Sequence, residues 1–482
     1  MIGKRFFALA PLQLAQAAVG FGAIAAFTRL MTPEEFGRYA LALSVSMFVH
    51  TLLFTWAEAA AYRFFASAKA ERRLSDHFAT LLAIALVLGG AALFLTAALL
   101  FVMDPSADIA TISIFAAGAA IFRFITRMTR ETERAAFAIG RYAAAEAAYL
   151  AIGFAAGVAL LTTLDLGAAA PFAGLMVAGL VVFAVDAPRI LARAKGGAPS
   201  VSRIGAYAGY GAPLALAIAT DLGVQTAARF LIANQAGPAA LGAYAAAFGL
   251  ARPLDLIFMW AGAALTPMML TAYENEGKAG VDRAARAVFA PLFAFAAPAA
   301  AGLALTAPAL AQLLIGRGLS DEAAAALPWL ALGGLFAGFN LYYWSEAFQL
   351  ARRTGIRALL MLAPGALQLG LTWALAGTLG ATGGAIAAAA AALCTTALLA
   401  LVGRTYLPLP LPRSETARVL AATALMAIVV ALLPAQARLV RVIDGACVYA
   451  VAAWFLDIGE TRALVQSISR RLGGRLIAAG RA

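Results

Sequence analysis

PEEFGRYALA at residues 33–42 returns 205 positions later as PAALGAYAAA at residues 238–247. Both copies fit P-x-x-[FL]-G-x-Y-A-x-A, and each lies between two long apolar runs. Pro33 and Pro238 suit a turn that ends one run, because proline lacks an N–H and fixes φ. Gly37 and Gly242 suit the close start of the next helix, and Tyr39 and Tyr244 suit the aromatic belt at a membrane–water interface. Six apolar runs separate the two copies. An even number gives both halves the same orientation, which predicts two six-helix lobes related by an axis along the membrane normal.

The composition around the repeat fits that reading. Of 482 residues, 63% are hydrophobic and 12% charged, and the mean hydropathy is +0.87. Soluble domains are about 45–50% apolar and about 25% charged, so a soluble enzyme is excluded. A crossing takes about 20 apolar residues, and the runs are continuous rather than alternating, which argues against a β-barrel. Fourteen spans are expected, from 6–30 and 39–64 at one end to 417–434 and 440–457 at the other. The predicted fold is all-α, a polytopic membrane protein with two pseudo-symmetric six-helix lobes plus two C-terminal helices. Its parts are a lobe at 1–187, a linker at 188–203, a second lobe at 204–403, two further spans at 404–458, and a basic tail at 459–482. No loop is long enough to hold an extramembrane catalytic domain.

Lysine and arginine collect on the cytoplasmic side of membranes. With the N-terminus inside, 29 of the 36 basic residues fall in cytoplasmic segments, six fall outside, and Arg252 lies within a span. Both termini are therefore expected in the cytoplasm, and the formal charge of +12 is topological and calls for no nucleic acid partner. In the tail, Leu464, Ile468, Leu472 and Leu476 recur at helical spacing beside four arginines, so it either lies on the anionic inner leaflet or frays. Two cysteines, Cys394 and Cys447, and two histidines, His50 and His77, allow neither a disulfide framework nor a Cys/His zinc site. The first apolar run exceeds a signal peptide in length and reads as an uncleaved helix.

The stretch TRLMTPEEFGRYALALSVSMF at 28–48, with WAEAAAYRFF at 56–65, resembles the opening of Wzx-type polysaccharide biosynthesis flippases, which serve O-antigen and exopolysaccharide pathways. YGAPLALAIATDLGVQTAARFLIANQAGPAALGAYAAAFGLA at 210–251 resembles the corresponding segment of their second half. These proteins belong to the multidrug/oligosaccharidyl-lipid/polysaccharide exporter superfamily. The resemblance implies a bacterial inner-membrane transporter, not an enzyme, that moves polyprenyl-diphosphate-linked oligosaccharide from the inner to the outer leaflet by alternating access. It also implies a monomer in a lipid bilayer, with other polysaccharide assembly proteins as partners. No bound cofactor or metal is expected; a proton or sodium gradient is the expected energy source. The sequence departs from its relatives in one place: many carry an acid before the arginine late in span seven, and here Ala228 precedes Arg229, with Asp221 two turns earlier.

Charges within the spans mark candidate sites, because a charge at mid-bilayer needs a cavity or a partner. Asp221 and Arg252 fall at similar depth on spans seven and eight, and Asp255 follows Arg252 at i+3. They form either a switchable pair, with Arg252 free to meet substrate phosphate, or a static tie. Arg123 and Arg127, at i and i+4, make one cationic face for the diphosphate or snorkel as anchors. Glu58 binds a coupling proton or pairs with a nearby arginine; Glu146 projects into the same region. Arg29 and Glu346 either border the cavity or anchor at the interface. His50 reads as a hydrogen-bonded packing residue rather than a proton relay, and Tyr342, Tyr343 and Trp344 as belt residues rather than sugar-stacking ones. Three other functions compete: a flippase for lipid-linked peptidoglycan precursor, a multidrug antiporter of the same superfamily, and a membrane glycosyltransferase or polymerase. The last would use Glu34 and Glu35 as a metal-binding pair, but the repeat places Ala239 and Ala240 at those positions.

Overall fold

A computed structural model of the chain describes residues 2–432 and 440–458; the basic tail and its expected surface helix lie outside them. All regular structure among the described residues is helical, in order α1 (Ile2–Leu30), α2 (Pro33–Leu53), α3 (Thr55–Arg63), α4 (Phe65–Ala70), α5 (Leu74–Met103), α6 (Ala107–Ala135), α7 (Ile139–Leu164), α8 (Ala170–Ala194) and α9 (Val201–Ala251). After these come α10 (Pro253–Leu305), α11 (Ala307–Leu314), α12 (Arg317–Phe339), α13 (Glu346–Leu350), α14 (Thr354–Leu360), α15 (Leu362–Tyr406), α16 (Arg413–Leu432) and α17 (Val440–Phe455). Among the described residues, ten helical segments are long and apolar enough to cross a membrane. Phe101 at the end of α5 is 89% exposed and Val102 is 77% exposed, a surface that needs lipid around it.

Three of those segments each hold a glycine with non-helical angles, Gly237, Gly277 and Gly380. Residues eight apart in a straight helix are about 12 Å apart along the axis. A Cβ on Gly280 would nevertheless lie 2.5 Å from the Ala272 carbonyl oxygen, and one on Gly383 would lie 2.5 Å from that of Leu375. In α9 the Arg229 guanidinium stands 5.1 Å over the Phe248 ring, nineteen residues on. The chain therefore doubles back at all three glycines. With these hairpins resolved, and with α1 and α17 included, each expected span has a helical counterpart among the described residues.

The internal repeat is written in backbone conformation as well as in sequence. Left-handed residues recur at Arg72 and Gly277, 205 positions apart, and at Phe137 and Arg352 and at Asp165 and Gly380, 215 positions apart. Packing divides the described residues into one unit running to 249 with 314–319, and a second of 250–313 with those from 320 onward.

In the first unit, α7 and α8 meet through glycines: a Cβ on Gly174 would lie 2.3 Å from the Gly157 nitrogen and 2.4 Å from the Gly153 oxygen. Phe54 stacks on Phe124 with ring centroids 4.4 Å apart. Phe54 also separates α2 from α3, so the second span is a broken helix where one continuous helix was expected. The two sequence repeats touch each other here. A Cβ on Gly37 would lie 1.7 Å from the Pro238 oxygen, and one on Gly242 would lie 3.0 Å from the Pro33 oxygen. Their tyrosines correct the belt assignment. Tyr244 is buried, and Tyr39 packs against Phe27 and Phe172 with centroids 5.9 and 5.5 Å away.

In the second unit Phe258, Phe289, Phe339 and Tyr343 form an aromatic core. A π-turn at Asn340–Trp344 joins α12 to α13, and Asn340 is held by the Ala392 carbonyl at 2.8 Å and the Thr396 hydroxyl at 2.8 Å. Tyr343 is buried and donates to the Pro410 carbonyl at 2.5 Å; Trp344 is buried too, so neither is a belt residue. Glu346 is 2% exposed and accepts from the Thr266 hydroxyl at 2.7 Å, which places it in the core rather than at an interface. Tyr449 of α17 donates to the Ala294 carbonyl at 2.6 Å.

The contact between the repeats predicts a sharp contrast between two glycine substitutions. Gly37→Ala forces its methyl group into backbone and should cost about 1–3 kcal/mol, whereas Gly205→Ala meets nothing within 4 Å and, lying within helix α9, should cost nothing and stabilise by up to about 1 kcal/mol. Thermal unfolding of the detergent-solubilised protein measures both; equal stability of the two variants would remove the tight approach.

Candidate functional site

On α6 the arginines 123, 127, 130 and 134 recur at i, i+4, i+7 and i+11, which sets them along one stripe of the helix. Three carboxylates meet that stripe. Glu58 comes from α3, where the break at Phe54 turns the chain after α2, Glu131 lies on α6 itself, and Glu146 comes from α7. All three are buried.

Glu58 is shared between two partners. One oxygen lies 2.9 Å from His50 Nε2, and the other lies 3.4 Å from Arg127 Nε. Glu146 is shared as well: Arg130 donates to its Oε2, and Arg123 Nη2 lies 3.5 Å from its Oε1. Arg130 also donates to the Thr126 hydroxyl at 2.6 Å and to the Thr126 carbonyl at 3.3 Å. The Tyr149 ring carries both guanidinia, that of Arg123 at 4.9 Å and that of Arg130 at 5.1 Å. Glu131 stands between Arg127 at 3.9 Å and Arg134 at 3.1 Å, and Arg134 lies 4.7 Å over the Tyr62 ring.

Four arginines thus face three carboxylates, which leaves one positive charge beyond neutrality when His50 is uncharged. The excess is not evenly accessible. The Arg130 side chain is 1% exposed, while those of Arg123 and Arg127 are 30% and 38% exposed. A buried guanidinium is tolerable only when paired and fully hydrogen-bonded, and Arg130 meets that condition. Arg123 and Arg127 share acids already partly satisfied by Arg130 and His50, so together with Arg134, whose side chain is 51% exposed, they present the accessible cationic edge. Such an edge can hold an anion, and an anion there competes with Glu58 and Glu146 for the same guanidinia.

Of the residues expected in the site, the structure brings Arg123, Arg127 and Glu58 into this one network. Arg29 lies at the end of α1 and donates to the Ala25 carbonyl at 3.0 Å. Asp221, on α9, accepts from Gln225 in its own helix at 2.8 Å. Arg252 stands exposed at the start of α10, with Asp255 one turn on. Arg229, the arginine that follows Ala228, donates to the Ser44 hydroxyl of α2 at 2.7 Å.

Two residues were not foreseen, Arg130 and Tyr149, which form the buried half of the network; His50, expected as a hydrogen-bonded packing residue, has Glu58 as its partner. The signal for Arg130 was its spacing from Arg123 and Arg127, which the count of basic residues by loop does not reveal. Glu35, the acid weighed as half of a metal pair, closes a capping box: its carboxylate accepts from Thr32 N–H at 2.8 Å, and its own N–H donates to the Thr32 hydroxyl at 3.2 Å.

Residues 26–322 match the family model described as polysaccharide biosynthesis protein. Among solved structures, the chain is similar to the lipid II flippase MurJ in an inward closed conformation, with a TM-score of 0.74 at 14% identity over 94% of this chain and 99% of that one. It is also similar to an inward-facing multidrug resistance MATE family transporter of the MOP superfamily, with a TM-score of 0.66 at 17% identity over 82% of this chain and 94% of that one. At these identities the likeness is one of fold. No curated protein sequence matches significantly.

The shared carboxylate predicts a compensating pair of substitutions. Arg130→Met leaves Glu146 with only the longer contact to Arg123 and should destabilise the protein by about 3–5 kcal/mol. Adding Glu146→Gln removes the stranded charge and should recover most of that loss. Thermal unfolding of the two variants beside the parent checks both steps, and a double variant no more stable than the single one would break the proposed pairing.

Proposed function

We propose, for a chain that belongs to the polysaccharide biosynthesis protein family, that it is a flippase carrying polyprenyl-diphosphate-linked oligosaccharide from the inner to the outer leaflet of the bacterial inner membrane. The observation that carries this reading is the cationic edge of Arg123 and Arg127 within a membrane-embedded network of shared carboxylates. A diphosphate is an anion of at least two charges, and planar guanidinia bind phosphate oxygens in pairs. The glycan would stay in a wet cavity, while the polyprenyl tail would stay in lipid. Transport then runs by alternating access, with the termini in the cytoplasm, as the basic loops imply. The chain would work as a monomer in concert with other polysaccharide assembly proteins.

The sharing of Glu58 supports a coupled cycle. Its carboxylate is divided between His50 and Arg127, so a proton reaching this pair weakens the hold on Arg127 and frees that guanidinium for phosphate. Departure of the phosphate returns Arg127 to Glu58 and releases the proton. Arg252 is assigned a further phosphate contact and Asp255 the role of a carboxylate that exchanges with substrate or a coupling ion; Arg29 on α1 and Asp221 on α9 are assigned the same two roles in the first unit. A proton or sodium gradient supplies the energy.

A second reading, transfer of a lipid-linked peptidoglycan precursor, draws on the fold likeness to the lipid II flippase. Both substrates carry a diphosphate, so the glycan decides between them. The multidrug antiporter reading draws on the likeness to a MATE transporter, but the arginine-rich edge favours anions over cationic drugs. The capping role of Glu35 leaves the glycosyltransferase reading without its metal pair.

Reconstituted liposomes holding a fluorescent polyprenyl-diphosphate oligosaccharide, with an outer-leaflet quencher, test the reading. Gradient-dependent quenching of intact lipid-linked sugar is expected, and a change in glycan length without leaflet transfer would point to a transferase. Arg252→Ala should slow transfer about tenfold, the equivalent of one lost charge-assisted contact, at unchanged membrane abundance; a normal rate would remove Arg252 from the path. Glu58→Gln should abolish the response to a pH gradient, and an unaltered response would exclude Glu58 as the coupling group.

A further inference from the structure

The connector between α8 and α9 does not hang free. Ala198 N–H donates to Asp76 Oδ1 at 3.1 Å, and Ser200 N–H donates to the Thr80 hydroxyl at 3.3 Å. Arg203, in the first turn of α9, reaches Asp76 Oδ2 at 3.4 Å and the Arg73 carbonyl at 3.4 Å. One turn further, the Tyr207 hydroxyl lies 2.5 Å from Nδ1 of the buried His77, and the Tyr207 ring packs on Phe64 at 4.8 Å. Gly197 is what allows the approach, because a Cβ there would lie 2.1 Å from the Ser75 carbonyl oxygen. The start of α5 thus grips both the connector and the beginning of α9.

These contacts differ from the joint of α7 and α8 in the same unit, where the backbones of Gly153 and Gly157 press against Gly174. Here the ties are polar, and Asp76 and Arg203 are 33% and 19% exposed, so water can replace their bonds as they break. The tether is also short. Val201 lies three positions after Ala198, a reach of about 10 Å at full extension. While Ala198 stays bound to Asp76, the end of α9 cannot swing further than that from α5.

We propose that the connector and the first two turns of α9 form a clasp that closes this end of the bundle, and that its release from the start of α5 opens the path between α9 and the α3–α5 segment. The clasp rests on the transporter reading for its purpose, since a transporter must open the end where its substrate enters. The basic residues flanking the connector place that end in the cytoplasm. Clasp and connector together then act as a gate whose travel is set by chain length rather than by side-chain packing.

Spin labels test the gate without substrate. With Cys394→Ser and Cys447→Ser removing the free cysteines, Lys69→Cys on α4 and Ala206→Cys on α9 offer two exposed labelling sites, and pulsed electron resonance in proteoliposomes reads the distance between them. Gly197→Ala, which displaces the connector alone, should raise the ratio of longer to shorter distances about fivefold, and Asp76→Ala with Tyr207→Phe about tenfold. Tyr207→Phe alone keeps the ring on Phe64 and should move the ratio in the same direction; Gly205→Ala should leave it unchanged. Distance distributions in Gly197→Ala and Tyr207→Phe that superimpose on the parent's would overturn the clasp. Shifted distances in a protein that moves no lipid-linked sugar would support the clasp and count against the transport reading instead.

Discussion

No water reaches the middle of a bilayer, so every polar group of this chain at that depth must be satisfied by the chain itself. The backbone meets the demand by being helical wherever it is apolar, and by turning through single residues, such as Gly277 and Gly380, that reverse direction with almost no exposed loop. Helix ends meet it with local devices, of which the reciprocal bonds of Thr32 and Glu35 are the most complete. Side-chain charges meet it only in company. Arg130 is tolerable among helices because Glu146 and Thr126 occupy its donors, and Glu146 is tolerable because two arginines share it. The network is therefore a single electrostatic object, and the freedom of Arg123 and Arg127 follows from how completely Arg130 is tied down.

The same constraint decides what the sequence discloses. Apolar runs long enough to cross the membrane are legible because nothing else requires them, and so each of the fourteen has a helical counterpart among the described residues. Glu58, Arg123 and Arg127 are legible because charge within an apolar run is costly and needs a reason. Arg130 is not legible by that route, since arginines near the inner end of a span are expected as anchors; only its place on the stripe distinguishes it. The break at Phe54, which sets Glu58 opposite His50 and Arg127, has no proline or glycine to announce it. Tyr39, Tyr244 and Tyr343 misled because belt tyrosines and buried tyrosines share a residue type and differ only in whether a partner exists inside, as Pro410 does for Tyr343.

The repeat shows where family likeness stops and function begins. Its halves reuse turns: Phe137 and Arg352 are both left-handed, and each lies six residues after a buried glutamate, Glu131 and Glu346. The surroundings of those glutamates do not match. Glu131 lies between Arg127 and Arg134, whereas the corresponding positions around Glu346 hold Tyr342 and Gln349, and its carboxylate accepts from a threonine hydroxyl. Turn geometry is indifferent to which side chains line a helix, so the same fold accommodates an arginine-rich half and an aromatic one. A likeness of fold at 14% identity carries the turns across and leaves the charges free to differ. Chemistry particular to this chain is therefore to be sought in the charged stripe of α6, where its two halves have parted, and not in the turns they share.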